Sequence, residues 1–310
     1  MLLVTSVSLD PFWNLAVEDH LLDLVSVQGP TLFLWQSHDS VVVGKNQNPW
    51  TECHQAYCRA HEIQIARRIS GGGAVYHDPG NLNYAFFCAR ERYHQDEVYD
   101  ALIGGLRTAG VDAVRMGKSS LATAQRKFSG NAFCYRRNSV LHHGTLLVDS
   151  NLEHLHHSLA PAPLEVDTHA VPSEPAPVVN LADLDPRWDL EHVGIAVTGG
   201  FEKVFGAVDT RMCSDDLHPD RMLQLHQQFF SPEWRLGRTP RFTVRLRPLQ
   251  GWVRMEVTQG RISDVDPEQD EGVAWSQCLG AWFSAPDIAA AVAQADQIPA
   301  LTDSLVALGI

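Results

Sequence analysis

Residues 67–83 read RRISGGGAVYHDPGNLN, with three successive glycines between two segments that have the composition of strands. Strand propensity does not explain these glycines, because each one costs backbone entropy in a strand. Glycine does permit positive φ, and it lets backbone N–H groups approach an anion closely. Arg68 and Ser70 add a guanidinium group and a hydroxyl for phosphate or carboxylate oxygens, and His77 and Asp78 end the next strand. The stretch therefore predicts a turn between two strands that binds an anion, in preference to a tight hairpin whose glycines serve geometry only.

This stretch differs from the glycine motifs of the common nucleotide-binding folds. It has neither the Gly-x-x-x-x-Gly-Lys-Ser/Thr of a P-loop nor the Gly-x-Gly-x-x-Gly of a dinucleotide-binding fold. A nucleotide bound here requires a different architecture.

Two later segments carry further candidate chemistry. Lys127 stands next to a Ser-Gly turn, where its charge would stabilise a phosphate or a developing oxyanion. In the second segment, Gly144 interrupts a predicted strand, which often marks a close approach of backbone or ligand. His142 and His143 precede it, but adjacent strand residues point to opposite faces, so a metal shared between them is not expected.

The composition excludes several classes of protein. The chain has 310 residues and a formal net charge of -13, and its basic residues are scattered, which argues against a general nucleic-acid binder. The six cysteines form no Cys-x-x-Cys pair, so neither a zinc site nor a disulfide framework is predicted. The first residues lack the basic region of a signal peptide, and no apolar run reaches the length of a membrane span. We expect a cytoplasmic protein that does not bind membranes.

The order of the predicted elements indicates an α+β fold with a mixed or antiparallel sheet, since strands and helices follow each other without a regular βαβ rhythm. The residues from 160 to 187 are rich in Pro and Ala and predict a long loop. The character of the chain changes near residue 230, which predicts a large domain over 1–229 and a small one over 230–310. The predicted helices are 11–27, 48–60, 95–109, 189–205, 286–295 and 301–308, and the predicted strands are 31–35, 40–43, 63–68, 74–77, 82–88, 139–148, 241–246 and 252–257.

The sequence resembles the lipoate–protein ligase A family, within the wider group of biotin and lipoate ligases and transferases. The likeness is strongest in Val43–Trp50, Arg67–Asn83, Lys127–Ala132 and His142–Leu147. It implies a class II synthetase-like catalytic domain, with a mixed sheet flanked by helices, and a small α+β C-terminal accessory domain. It also implies a reaction in which ATP, with Mg²⁺, converts lipoate or octanoate to an acyl-AMP. A lysine on a lipoyl carrier domain, either a 2-oxoacid dehydrogenase E2 or a glycine cleavage H-type protein, then accepts the acyl group.

The resemblance also assigns roles to individual residues. Lys127 is the implied catalytic residue, in contact with both the acyl carbonyl oxygen and the α-phosphate. The resemblance does not identify the metal ligands. The implied acyl-site residues are Trp35, Gly44, Gln47, Arg68, Ser70, Gly71, Gly72, Gly73, His143, Gly144 and Thr145, and the implied nucleotide-site residues are Ala74, Val75, His77, Asp78, Lys127, Ser129 and Gly130.

Two segments depart from the family pattern. Met116–Leu121 lacks the Asn-Asp pair that ligases of this family commonly carry, and His169–Leu181 lacks the usual arginines. Both losses bear on ATP, and they leave open a transferase that takes an acyl group from a carrier, or a non-catalytic binding module. Cys134 is a candidate nucleophile for a thioester intermediate, but it is better explained as a small buried residue. Arg136-Arg137 is the candidate basic rim for an acidic carrier.

Overall fold

The computed structural model describes residues 1–248, 251–268, 273–292 and 298–310. Asp10 begins the first helix, because its side chain accepts a hydrogen bond of 2.8 Å from the amide of Phe12. The predicted helix over 48–60 is wrong as a single element, since Cys53 has extended backbone angles and divides it in two. The helices are α1 (Pro11–Gln28), α2 (Pro49–Glu52), α3 (Gln55–Ala60), α4 (Gln95–Thr108), α5 (Leu152–Ser158), α6 (Leu190–Phe205), α7 (Pro219–Phe230), α8 (Pro232–Arg235), α9 (Ala285–Val292) and α10 (Ile298–Ala307).

An eight-stranded sheet forms the centre of the molecule, in the order β12-β1-β2-β6-β10-β9-β8-β7. β1 pairs in parallel with β12 and β2, and the remaining pairs are antiparallel, so the predicted mixed sheet is confirmed. The strands of this sheet are β1 (Leu2–Thr5), β2 (Thr31–Trp35), β6 (Asn81–Ala89), β7 (Val114–Met116), β8 (Ser120–Thr123), β9 (Arg126–Tyr135), β10 (Ser139–Leu147) and β12 (Thr210–Cys213).

Two smaller sheets complete the architecture. One has the order β4-β3-β5, and the other has the order β11-β13-β14-β15. The long loop predicted for residues 160–187 is wrong at one place, because β11 lies within it and pairs with β13. The strands of these sheets are β3 (Ser40–Val43), β4 (Gln64–Arg67), β5 (Val75–His77), β11 (Glu165–Thr168), β13 (Phe242–Leu246), β14 (Val253–Thr258) and β15 (Arg261–Pro267).

The apolar residues form cores on both faces of the large sheet. On one face α4 and α6 cover sheet side chains such as Phe86, and on the other α1 and α7 cover sheet side chains such as Phe33. A third core lies around the β13-β14-β15 hairpins and α9. The last residues of the helix predicted over 286–295 lie outside the described residues. No helix in the described part of the chain is long and apolar enough to cross a membrane.

Candidate active site

A cavity of about 660 Å³ lies where the large sheet, α1 and the β4-β3-β5 sheet meet. Strand register brings its residues together, since Trp35 and Thr145 are both cross-strand partners of Asn83 and therefore point to the same face. The β4-β3-β5 sheet faces them with the glycine segment. The residues predicted from the sequence that line this cavity are Trp35, Arg68, Gly72, Gly73, Ala74, Val75, His77, Lys127, Gly130, His143, Gly144 and Thr145.

A second cavity of about 340 Å³ adjoins the first. The two share five of the predicted residues along their boundary, and Ser129 lines the second one alone. The combined space has two lobes joined beside Lys127, which is the shape needed to hold two reactants end to end. The shared residues are Ala74, Val75, Lys127, Gly130 and Thr145.

The guanidinium group of Arg68 shapes the glycine turn from within. It donates hydrogen bonds to the carbonyl oxygens of Val42, Gly71 and Gly73 at 2.9, 2.6 and 2.7 Å, and to the hydroxyl of Ser70 at 2.9 Å. Burial lowers the pKa of Arg68 to about 10, so the group stays a cation at neutral pH. Arg68 therefore supplies positive charge and a fixed turn, while few of its N–H groups remain for an anion.

Close packing explains why glycine is needed at Gly44. A Cβ at this position would lie 2.2 Å from the carbonyl oxygen of Gly72, whose own φ is +87°. These glycines allow the turn to lie against β3, and Gly71 stands at its outer bend. Gly44 and Gly71 are not among the described residues that line either cavity, so they support the turn from behind.

A chain of buried polar groups runs along the floor of the larger cavity. Ser70 Oγ is 2.6 Å from Nε2 of His143, and His143 Nδ1 is 2.8 Å from a carboxylate oxygen of Glu18. Trp35 donates from Nε1 to the other oxygen of Glu18 at 3.2 Å. Glu18, which the sequence analysis missed, is 1% exposed and thus holds the orientations of both His143 and Trp35. As expected, His142 points to the opposite face, where its ring lies against Phe133.

Lys127 presents its ammonium group at the junction of the two lobes. Its backbone is fixed on both sides by Pro177 and Val179, at 2.9 and 3.0 Å. A Cβ at Gly130 would lie 3.2 Å from Lys127 Nζ, so the missing side chain leaves room for the amine. Burial lowers the pKa of Lys127, and the carboxylate of Glu174 raises it. The ammonium group has no hydrogen-bond or ion-pair partner among the described residues, which leaves it available to a ligand.

Residues 171–176, here called the strap, cross both cavities and form part of their walls. Ser173 fastens the strap, because its hydroxyl donates to the carboxylate of Glu52 and accepts from Ala74 N at 2.8 Å and from Gln47 Nε2 at 3.1 Å. Burial raises the pKa of the Glu52 carboxyl. Gln47, predicted as part of the acyl site, thus contacts the strap and does not line either cavity.

Two sequence-based assignments do not agree with the structure. Asp78 accepts hydrogen bonds from the amides of Gly80 and Asn151, at 2.9 and 2.6 Å, and it lies outside both cavities, so it stabilises a turn. Arg136 forms ion pairs with Asp19 and Asp23, which compensate the charge proposed for a basic rim.

Other cavity residues were not predicted from the sequence as part of the site. The segment 116–120, recognised only for its missing acid, lines the larger cavity together with Asn83 and Glu18. The sequence of α1 carries no signal for Glu18, because Asp19 and His20 follow it directly and nothing distinguishes it from them. Within the described ranges, no group of three or more His, Cys, Asp or Glu side chains is arranged to hold a metal ion.

Comparison with known proteins agrees with this geometry. The family model described as lipoyl protein ligase A/B catalytic domain matches residues 10–202. A relative from Psychrobacter cryohalolentis, named lipoate-protein ligase A, is 32% identical over 83% of this chain and 79% of its own length. A relative of the same name from Bdellovibrio bacteriovorus is 32% identical over 77% of this chain and 73% of its own.

Solved structures show the same fold. The structure of P. falciparum LipL1 in complex with lipoate has a TM-score of 0.69 and 22% identity, and the match covers 99% of this chain and 99% of the other. A lipoate-protein ligase A bound with ATP has a TM-score of 0.64 and 22% identity, and the match covers 76% of this chain and 97% of the other.

Proposed function

Because this chain belongs to the lipoyl protein ligase A/B catalytic domain family of enzymes, we propose that it activates lipoate with ATP and transfers it to a carrier lysine. The observation that carries the proposal is the ammonium group of Lys127, which lies between two adjoining lobes and has no partner in the described part of the chain. One lobe ends among buried side chains, as an acyl chain requires, and the other suits the nucleotide. Relatives named lipoate-protein ligase A, and one solved structure of that name bound with ATP, support the choice of reactants.

The first step joins the two reactants. A carboxylate oxygen of lipoate attacks the α-phosphorus of ATP, and pyrophosphate leaves with the electrons of the broken P–O bond. Lys127 stabilises the charge that grows on the α-phosphate oxygens during this displacement. The exposed carboxylate of Glu174, which lines both lobes, would hold Mg²⁺ bound with ATP, since this ion is usually held by few protein carboxylates, and the ion would supply charge that neutralises the phosphates.

The second step transfers the acyl group. The ε-amine of the carrier lysine attacks the acyl carbonyl carbon, the amine loses a proton, and AMP leaves. Lys127 again lies beside the atom that becomes negative, here the carbonyl oxygen. The carrier is a lipoyl domain, of the 2-oxoacid dehydrogenase E2 or the glycine cleavage H type.

Intact mass spectrometry of the carrier tests this proposal. The protein is incubated with lipoate, ATP, Mg²⁺ and an unmodified lipoyl domain, and the expected result is a lipoyl adduct that requires ATP. An adduct that forms only from an octanoylated or lipoylated carrier, without ATP, would identify a transferase instead. That alternative is prompted by the arginine-free strap and by the absence of an acid in 116–121. No adduct from either donor would leave a binding module.

Replacement of the proposed catalytic lysine gives a second test. Lys127→Met keeps most of the side-chain volume but removes the charge, and we expect it to lower the rate of adduct formation by about 100-fold or more. An unchanged thermal unfolding midpoint would show that the fold is intact. Near-normal activity in the folded variant would contradict the role of Lys127.

A further inference from the structure

We infer that the loop between β7 and β8 binds the pyrophosphate leaving group directly, through the ammonium group of Lys118 and the hydroxyls of Ser119 and Ser120. The inference rests on the proposed function, because pyrophosphate forms only if ATP is a reactant. All three residues line the larger cavity, and the whole segment Met116–Leu121 contains no acid that would repel an anion.

A single row of residues across the large sheet fixes the place of this loop. Each member is the cross-strand partner of the next, except at one step, where the amide of Gly130 donates to the hydroxyl of Thr145 at 3.2 Å. The row is Trp35, Asn83, Thr145, Gly130, Ser120 and Met116. Cross-strand partners share one face of a sheet, and all six residues line the larger cavity. The cavity therefore runs across the sheet from β2 to β7.

Lys127 divides this row into two halves. Its ammonium group lies over Gly130, since a Cβ there would be 3.2 Å from Nζ. The second cavity, proposed as the nucleotide lobe, opens at the same point, because Gly130 and Thr145 line it as well. The half toward Trp35 is the buried one and takes the acyl chain. The half on β8 and β7 is then left for the remaining part of ATP.

The geometry of the first step assigns the same half to pyrophosphate. In a displacement at phosphorus, the attacking and leaving oxygens lie roughly in line, on opposite sides of the phosphorus atom. The carboxylate of lipoate approaches from the side of Trp35, so pyrophosphate leaves toward Lys118. The electrons of the broken P–O bond go to pyrophosphate, and its negative charge therefore grows beside this ammonium group.

The free polar groups of the loop suit phosphate oxygens. In the described part of the chain, Lys118 has no ion-pair partner, and the hydroxyls of Ser119 and Ser120 make no hydrogen bond. The backbone acceptors, in contrast, are occupied: the carbonyl oxygen of Lys118 accepts from the hydroxyl of Tyr99 at 3.3 Å, and that of Ser119 accepts from the amide of Asn131 at 2.7 Å. The loop thus presents one cation and two hydroxyl donors, a set that binds phosphate.

Calorimetric titration with inorganic pyrophosphate tests the inference, with ATP omitted and EDTA present to remove divalent ions. We expect one pyrophosphate per chain, and about tenfold weaker binding to Lys118→Met. Lys203→Met, at an exposed lysine of α6 outside both cavities, is the matched control and should bind as the unmodified protein does. Equal affinity of Lys118→Met and the unmodified protein would overturn the inference, and so would binding that requires Mg²⁺.

Addition of a carboxylate to the loop gives the complementary test. Ser120→Asp places a negative charge beside the bound anion, and we expect it to bind pyrophosphate about tenfold more weakly than Ser120→Asn, which has the same size and no charge. Lipoate should bind equally to both variants, because Ser120 lies toward the opposite end of the row from Trp35. Equal pyrophosphate affinity of the two variants would refute the assignment.

The outcome for this loop is separable from the outcome for the proposed function. A protein that binds pyrophosphate through Lys118 but transfers acyl groups without ATP would contradict the proposed function and keep the site. A protein that ligates lipoate with ATP, but whose pyrophosphate affinity does not depend on Lys118, would contradict the inference alone.

Discussion

At the scale of single residues, the charge on Lys127 is set by two opposing effects. Burial disfavours the ammonium form and lowers its pKa, while the carboxylate of Glu174 raises it. The strap thus places an acid near the proposed catalytic cation. The acid keeps Lys127 protonated over a wider range of pH, which the reaction requires if the ammonium group stabilises phosphate charge.

The pH profile of Glu174→Gln tests this balance. Without the carboxylate, the pKa of Lys127 falls further, and the ammonium group is lost at a lower pH as the solution becomes alkaline. The alkaline limb of the kcat/KM profile should therefore shift to lower pH, with the acidic limb unchanged. Glu191→Gln, at an exposed acid of α6, serves as the control and should leave both limbs in place. A shift of the limb to higher pH would show that Glu174 does not act on Lys127 through its charge.

At the scale of elements, the hydroxyl of Ser173 makes three of the hydrogen bonds that hold the strap. Ser173→Ala removes the hydroxyl that Glu52, Gln47 and Ala74 share, and it leaves a buried carboxylate with fewer hydrogen bonds. We expect KM for lipoate and ATP to rise several-fold, with a smaller change in kcat, and proteolytic cleavage within 169–178 to become faster. Ser284→Ala is the matched control, since Ser284 also donates to a carboxylate but far from both cavities. Equal proteolysis of the two variants would contradict this role.

The difference between predicted and observed elements has a physical cause. The turn predicted beside Lys127 is wrong, because Arg126–Tyr135 forms one continuous strand, β9, which contains Ser129 and Gly130. The glycine segment was predictable because its chemistry is local and is carried by adjacent residues. The strap was not, because 171–176 has no periodicity and its position depends on hydrogen bonds to residues more than 90 positions away. Asp78 was assigned to the nucleotide site by the family resemblance, yet its side chain accepts hydrogen bonds from the turn after β5 and lies outside both cavities.

At the scale of the whole molecule, the core of the C-terminal region is shared with the rest of the chain. Trp50 packs against Phe242 and Phe283 with ring centroids 5.4 Å apart in both pairs, and β11 adds the outer strand to the β13-β14-β15 hairpins. The composition changes near residue 230, but it does not reveal that Trp50 and β11, from earlier in the sequence, also belong to the C-terminal core. The boundary itself remains a prediction, and the two regions should unfold together.

Arg67 is the strongest link between the two regions. Its guanidinium group is almost fully buried, and it donates to the carbonyl oxygens of Gly44 and Arg235 at 3.0 and 2.9 Å and to the hydroxyl of Thr239 at 2.9 Å. Burial lowers the pKa of Arg67 to about 10, so it remains charged, and its charge is compensated chiefly by these oxygen dipoles. Arg67 thereby ties the turn beside the cavity to the start of the C-terminal region.

Removal of this arginine should therefore weaken the whole molecule. Arg67→Met leaves several buried carbonyl groups unpaired, and we expect a loss of about 3 kcal/mol or more in the free energy of unfolding. Thr239→Val removes a single acceptor and should cost about 1–2 kcal/mol. Urea unfolding followed by tryptophan fluorescence measures both, with Arg211→Met as the control at an exposed arginine of β12, where a change within about 0.5 kcal/mol is expected. The prediction fails if Arg67→Met is no less stable than Arg211→Met, since the buried hydrogen bonds would then contribute nothing to the link.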